Sequence, residues 1–317
     1  MPIHLTEQQI QELLNIGDFV RSCDEAFRLY GVGELINHPR ELTLTQADGA
    51  DVFRLSLSGC WTGILEGHKI IVERSDIRTG RLGDRTAAIE LVLTDSEQTI
   101  HLDAETITNR RTGCAAALAA RYLGPQNCRT VAIIGTGRVA ESAALAVDLV
   151  IAPETIRATS RSREKRELFA EQIEASVEAE LNMVETVEEA VFEAEVVVAA
   201  VPTPEPVLSN RMLRANAHLS VVAGDPRTVQ LEKDILINRT VVVDHFDQTM
   251  ASGEFVRYSE FIPKVSFAEI EGKTATIGDA ALGRLEILKT SGCVAYFTGM
   301  AIQDLHAGYT AFRRRGN

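Results

Sequence analysis

The chain has 317 residues, 45% of them hydrophobic, a length and composition that predict two compact domains. Its 45 acidic residues outnumber 32 basic ones, and the resulting net charge of −13 weighs against a nucleic-acid binder, which needs a basic face. Cys23, Cys60, Cys114, Cys128 and Cys293 make no CxxC pair and no Cys/His ligand spacing, so neither a metal site nor a disulfide framework is expected, and the chain reads as a cytoplasmic protein with reduced thiols. The opening MPIHLTEQQI lacks the apolar core of a signal peptide, and no apolar run reaches the roughly 18 residues of a membrane span.

In chain order, Thr6 is a candidate N-cap for a helix over LTEQQIQELLN, with Ile10, Leu13 and Leu14 at helical spacing. DFVRSCDEAFRLYGVGE predicts a second helix. From about residue 41 to 101 the texture alternates: ELTLTQ, DVFRLSLSG, GHKIIVER, TAAIELVLT and TIHLDA read as strands of an antiparallel sheet. AETITNRRTGCAAALAARYLG is an Ala-rich helix closed by Gly124. The rhythm then becomes strand–helix–strand through TVAIIG, VAESAALAVDLV, TIRATS, REKRELFAEQIEA, EVVVAAVP, HLSVVAG and TVVVDH, the pattern of a parallel, doubly wound sheet. GMAIQDLHAGYTAFRRR closes the chain as a helix.

The turn IIGTGRVA has the requirements of a dinucleotide site. Gly135 allows a sharp turn off a strand, Gly137 allows close backbone approach to a pyrophosphate, and Ala140 is the small residue at which helix packs on strand. At the end of the next strand stand Ser160 and Arg161, with Arg163 and Lys165 nearby. A hydroxyl and a guanidinium there suit a ribose 2′-phosphate, which favours NADP(H), with NAD(H) as the alternative if these cations only solvate the next helix.

Arg40, Arg54, Lys69 and Arg111 are cations that precede this turn. Lys69 enters an apolar strand, so its ammonium is expected to point inward and need a partner. Asp225, in VVAGDPRT, follows a strand and faces either a ligand crevice as an acid/base or a turn as its cap. His218, His245 and His306 are weaker proton-relay candidates, and no pair of histidines has metal spacing.

In order along the chain, HPR, GHKIIV, RRTGCAAALAARYLG, AIIGTGRVA, TSRSREK, EVVVAAVPTPEPVL, VAGDP, VVVDHFDQTMASGE and TGMAIQDLHAG resemble the ornithine cyclodeaminase/mu-crystallin family. The resemblance implies an α/β protein with an inserted Rossmann domain, which the change of rhythm places over residues 122–293. A smaller α+β substrate-binding and dimerisation domain would come from residues 1–121 with 294–317. It implies a homodimer whose substrate is a small amino or imino acid. It casts Arg40, Lys69 and Arg111 as the clamp on the substrate's α-carboxylate. Lys69 and Asp225 become the catalytic pair. Gly135, Thr136, Gly137, Arg138, Val139, Ala140, Ser160, Arg161, Arg163, Val201 and Pro202 become the cofactor contacts.

Two departures bear on the activity. Arg54 stands where the cyclodeaminases carry an acidic residue, so it is expected to repel a diamino acid and attract a second carboxylate. A one-residue slip would put it on the opposite face of its strand. After the lysine strand the chain reads ERSDIRTGRLGDR in place of a Gly/Pro-containing turn. The expected function is therefore an NAD(P)H-dependent reductase of a small α-imino or α-keto acid with a dicarboxylate preference. A cyclodeaminase and a non-catalytic mu-crystallin-like binder are the alternatives.

Overall fold

In the computed structural model, residues 2–76, 82–286 and 292–316 are described. They form two compact units, Met1–Arg111 with Met300–Asn317, and Thr112–Gly299. The expectation for ERSDIRTGRLGDR falls partly on residues 77–81, outside the described residues.

The first unit opens with β1 (Ile3–Leu5), α1 (Glu7–Leu13) and α2 (Ile16–Gly31). Thr6 caps α1 through a reciprocal pair with Gln9, as expected. Asn15 and Asp18 do the same for α2, which therefore starts two residues before the predicted stretch. Then follow β2 (Leu35–Asn37), β3 (Glu41–Ala47), β4 (Ala50–Trp61), β5 (Leu65–Asp76), β6 (Leu82–Leu93), β7 (Thr99–Asp103) and the first half of α3 (Glu105–Leu123). The sheet has the order β1-β7-β6-β5-β4-β2, with β3 also on β4. It is antiparallel except where β1 lies parallel to β7.

In the second unit, β8 (Thr130–Ile134), α4 (Arg138–Ile151), β9 (Thr155–Thr159), α5 (Arg163–Ile173), β10 (Glu180–Met183), α6 (Val187–Val191), β11 (Val196–Ala199) and β12 (His218–Val222) succeed one another. α7 (Lys233–Asn238), β13 (Thr240–Val243), α8 (Phe246–Met250), α9 (Gly253–Arg257), β14 (Ser266–Phe267), a small hairpin of β15 (Glu269–Ile270) and β16 (Lys273–Thr274), α10 (Ile277–Ala281) and β17 (Cys293–Phe297) complete it. The sheet is parallel, in the order β10-β9-β8-β11-β12-β17-β13-β14. Every residue of β11 and β17 is buried, as strands covered on both faces require. The chain is an α/β protein of Rossmann type with a smaller second domain. β17 inserts between β12 and β13, a placement that strand rhythm did not indicate.

α11 (Ala301–Arg315) returns to the first unit and lies on β4, β5 and β6. Gly59 and Gly67 are cross-strand partners, and a Cβ on Gly67 would sit 2.7 Å from Leu305 Cδ2 and 2.8 Å from the Glu90 carbonyl oxygen. The missing side chains form the groove into which Leu305 seats the helix. α3 runs through the division between the units at Arg111/Thr112, whereas the rhythm of the sequence places a boundary at 121/122. Its second half packs within the second unit, where a Cβ on Gly113 would meet Ala143 N at 2.4 Å and Ser142 C at 2.5 Å.

Those two contacts are backbone, so they cannot give way by rotating a side chain. Gly113→Ala is expected to cost about 1–3 kcal/mol by forcing α3 and α4 apart, read as a lower denaturant midpoint at an unchanged slope.

Candidate functional site

Lys69 lies on β5 opposite Leu57 of β4, and its side chain is fully buried. Burial alone would strip its proton. Asp304 of α11 opposes this, with Lys69 Nζ donating to Asp304 Oδ1 at 2.8 Å. The same oxygen accepts from Arg111 Nε of α3 at 3.1 Å. Arg111 Nη1 also donates to Gln303 Oε1 at 3.3 Å, and Gln303 Nε2 reaches Cys23 Sγ at 3.1 Å. Burial, the largest influence, brings Lys69 down from 10.5 to about 8. Asp304 raises it and Arg111 lowers it. The cluster holds two cations and one carboxylate. Among the described residues no acceptor engages Arg111 Nη2 or the remaining two ammonium hydrogens of Lys69.

The structure brings Lys69 and Arg111 together and separates Arg54 from them. The β4–β5 register is unbroken from Ala50 to Trp61, so residues 53, 55 and 57 share Lys69's face and residue 54 faces the other way. Arg54 is exposed and pairs across strands with Thr43 and Val72. The expectation that Arg54 shares the face of Lys69 is corrected: the slip of one residue is the arrangement found. Phe53, Leu57 and Ile71 line the Lys69 face instead, all buried. Arg40 is half-buried in the segment between β2 and β3.

In the second unit β8 lies between β9 and β11, the point at which the strand order reverses. Gly135 has φ +120°, and a Cβ there would lie 2.5 Å from the Ala200 carbonyl oxygen at the end of β11, so glycine is required. Gly137 caps α4 with no side-chain hydrogen bond, and a Cβ there would meet nothing within 4 Å. The space beside Gly137 at the start of α4 is therefore open, which fits a pyrophosphate. Ala140 is buried, while Arg138 is exposed and Val139 partly so. Thr136 Oγ1 donates to Ser160 Oγ at 3.0 Å, tying the turn to the end of β9. Arg163 pairs with Glu167, whereas Arg161 is exposed and has no ion-pair partner among the described residues. Val201 and Pro202 follow β11, and the Val201 amide donates to Gln230 Oε1.

Asp225 follows β12 and is gripped by Arg227, whose Nη2 and Nε donate to Oδ2 and Oδ1 at 2.6 and 2.9 Å. The three histidines have structural partners. His306 bonds Ser22 Oγ at 2.8 Å and stacks on Trp61, and burial takes it down to about 4. His218 bonds Ser220 and Cys293, and burial takes it down to about 3, so both stay neutral at physiological pH. His245 caps α8. Asp304 and Gln303 were missed by sequence reasoning. The structure buries every residue of AIQDLHAG, and a carboxylate set in such a stretch needs a buried cation, a demand that becomes visible only once the burial is known.

The chain matches the model of the ornithine cyclodeaminase/mu-crystallin family over residues 2–312. It is 25% identical over 311 residues to an alanine dehydrogenase of Archaeoglobus fulgidus, covering 95% of this chain and 91% of that one. It is 32% identical over 185 residues to an ornithine cyclodeaminase of Agrobacterium fabrum, a match that takes in 55% of this chain and about half (48%) of the cyclodeaminase. Its fold superposes on that of the Thermococcus litoralis Δ1-pyrroline-2-carboxylate reductase, solved with NADH and L-proline, with a TM-score of 0.85 at 19% identity, over 98% of this chain and 97% of that one. With the whole-chain match, the glycine turn and the Lys69 cluster all in place, the chain belongs to the ornithine cyclodeaminase/mu-crystallin family.

Proposed function

We propose that this protein is an NAD(P)H-dependent reductase of a small α-imino or α-keto acid, working in the amino acid dehydrogenase direction when ammonia and cofactor ratios reverse. The observation that carries the reading is the buried Lys69–Asp304–Arg111 cluster, which holds one positive charge in excess and donors without acceptors. A cluster of that charge favours one carboxylate. When bound, the dinucleotide supplies a hydride to the α-carbon of the substrate. Lys69 and Arg111 hold the carboxylate, with Arg40 as the outer arm of the clamp. Asp225 keeps its proposed acid/base role, with Arg227 orienting its carboxylate.

Phe53, Leu57 and Ile71 on the Lys69 face support a substrate whose far end is small and apolar, without a second carboxylate. Ornithine-type cyclodeamination is the second reading, supported by the similarity to the Agrobacterium enzyme. Arg54 no longer argues against it, since it faces away. Arg161 at the end of β9 supports NADP(H) over NAD(H). The protein is further proposed to be a homodimer, with the wholly exposed β3, including Leu42 and Leu44, in the contact.

Steady NAD(P)H oxidation at 340 nm is expected with pyruvate plus ammonia or methylamine, or with pyrroline- or piperideine-2-carboxylate, and oxaloacetate should be poorer than pyruvate. Ammonia release from ornithine without net cofactor change, and silence on that panel, would transfer the assignment to the cyclodeaminase. Arg161→Ala should raise KM for NADPH about tenfold and leave NADH nearly unchanged; equal effects on both would remove the case for NADP(H). Lys69 binds its proton more weakly folded than unfolded. Its burial cost is therefore full below pH 8 and is relieved between about 8 and 10.5. Relative to Lys69→Met, the wild type should gain stability across that window, on the order of 3 kcal/mol, measured by denaturant melts at stepped pH.

A further inference from the structure

Asp304 is completely buried, and its single oxygen Oδ1 serves both cations of the cluster. Its other oxygen, Oδ2, is buried and has no hydrogen-bond partner among the described residues. A carboxylate placed only to hold a fold together would have both oxygens satisfied, because an orphaned charged acceptor in a dry interior is costly.

The groups that face Lys69 give Asp304 a specific task. From α3, Arg111 drives the lysine's proton off, and from β6 Arg85 does the same while pairing with Glu73 and Glu105. From α2 comes Cys23, whose thiol burial pushes up to about 12, so it carries no charge. His306, two residues beyond Asp304 on α11, is engaged with Ser22 and Trp61, stays neutral through burial and lies near Glu25. Asp304 is thus the anion in direct contact with Lys69 that holds the ammonium charged against its burial and two like-charged neighbours. A neutral amine at this position would have little hold on a carboxylate.

We propose that Asp304 is a positioning residue: it keeps Lys69 protonated and fixes Lys69 and Arg111 as one two-pronged receptor for the substrate's carboxylate. The inference rests on the reading of that pair as a carboxylate receptor. Asp304 itself touches no substrate. Gln303 braces the second prong, holding Arg111 Nη1 while its amide rests on Cys23 Sγ.

The chain contains only six lysines, so a spectrum of protein labelled with [13Cε]lysine is sparse, and Lys69→Arg identifies the Lys69 resonance by its loss. In the full-length wild type Lys69 should titrate near 8. In Asp304→Asn, which keeps the size and removes the charge, its midpoint should fall by about one pH unit or more. In the same variant KM for the carboxylate substrate should rise at least about tenfold at neutral pH. The pH at which KM climbs should move down with the midpoint, while the Kd for NAD(P)H stays within about twofold of wild type. Should Asp304→Asn fail to fold, Asp304→Glu takes its place: the charge is kept and the reach altered, so the Lys69 midpoint should stay near the wild-type value while KM rises. An unchanged midpoint and KM in Asp304→Asn, or a fallen midpoint in Asp304→Glu, would overturn the proposal and leave Asp304 a packing residue. If the wild type turns over no substrate at all, the functional reading fails by itself, and the Lys69 midpoint still decides whether Asp304 controls that lysine.

Discussion

One carboxylate oxygen shared by two buried cations is the constraint on which the rest of the first unit depends. Removing a lysine and an arginine from water costs several kcal/mol each, and only close, well-directed contacts offset such a cost. Asp304 meets that demand because α11 passes close over the sheet. The helix passes closely because Gly59 and Gly67 leave no side chains in its path and Leu305 fills the groove. Two glycines, one leucine and one aspartate therefore place the ammonium of Lys69, which on β5 alone would have no reason to stay charged. The far end of the helix is secured separately, by Arg314 on the buried carboxylate of Asp18 and on the Leu13 carbonyl oxygen.

The second unit solves a different problem with backbone in place of charge. An anion can be held by amides when a helix starts in open space, and α4 starts at a glycine that supplies no competing cap. Gly135 lets the chain turn within van der Waals reach of the end of β11, where any side chain would strike the Ala200 carbonyl. Thr136 and Ser160 then join the first and second strand ends, so the turn and the segment carrying Arg161 are parts of one hydrogen-bonded edge.

Much of this was legible in the sequence because it rests on local rules. Thr6 capped its helix as a Thr-x-x-Gln box must, the alternating strands of residues 41–103 appeared in place, and the Gly-x-Gly-x-x-Ala turn stood between strand and helix. What escaped depends on contacts distant in sequence. CVAYF is a short apolar run with no period to separate strand from helix, and its position between β12 and β13 is set by hydrogen bonds to segments about 75 and 50 residues away. Asp304 escaped for the same reason, being 235 residues from Lys69. So did Asp244, which sits at the end of β13 and binds the amides of Thr298 and Gly299 at 2.8 and 2.7 Å. Both are acidic residues inside apolar stretches, and each exists to serve a group elsewhere in the chain.

Arg54 shows how sharply a strand punishes a small error of alignment. Identity at a position says which chemistry is available, and parity says whether that chemistry reaches the site. At position 54 the side chain has the charge for a second carboxylate and the wrong face for it. The face that carries Lys69 is instead occupied by Phe53 and Leu57, which have no charge to offer. A strand therefore sorts its residues by parity before chemistry: Arg54 keeps its charge in solvent, while Phe53 and Leu57 are buried on the face that carries Lys69.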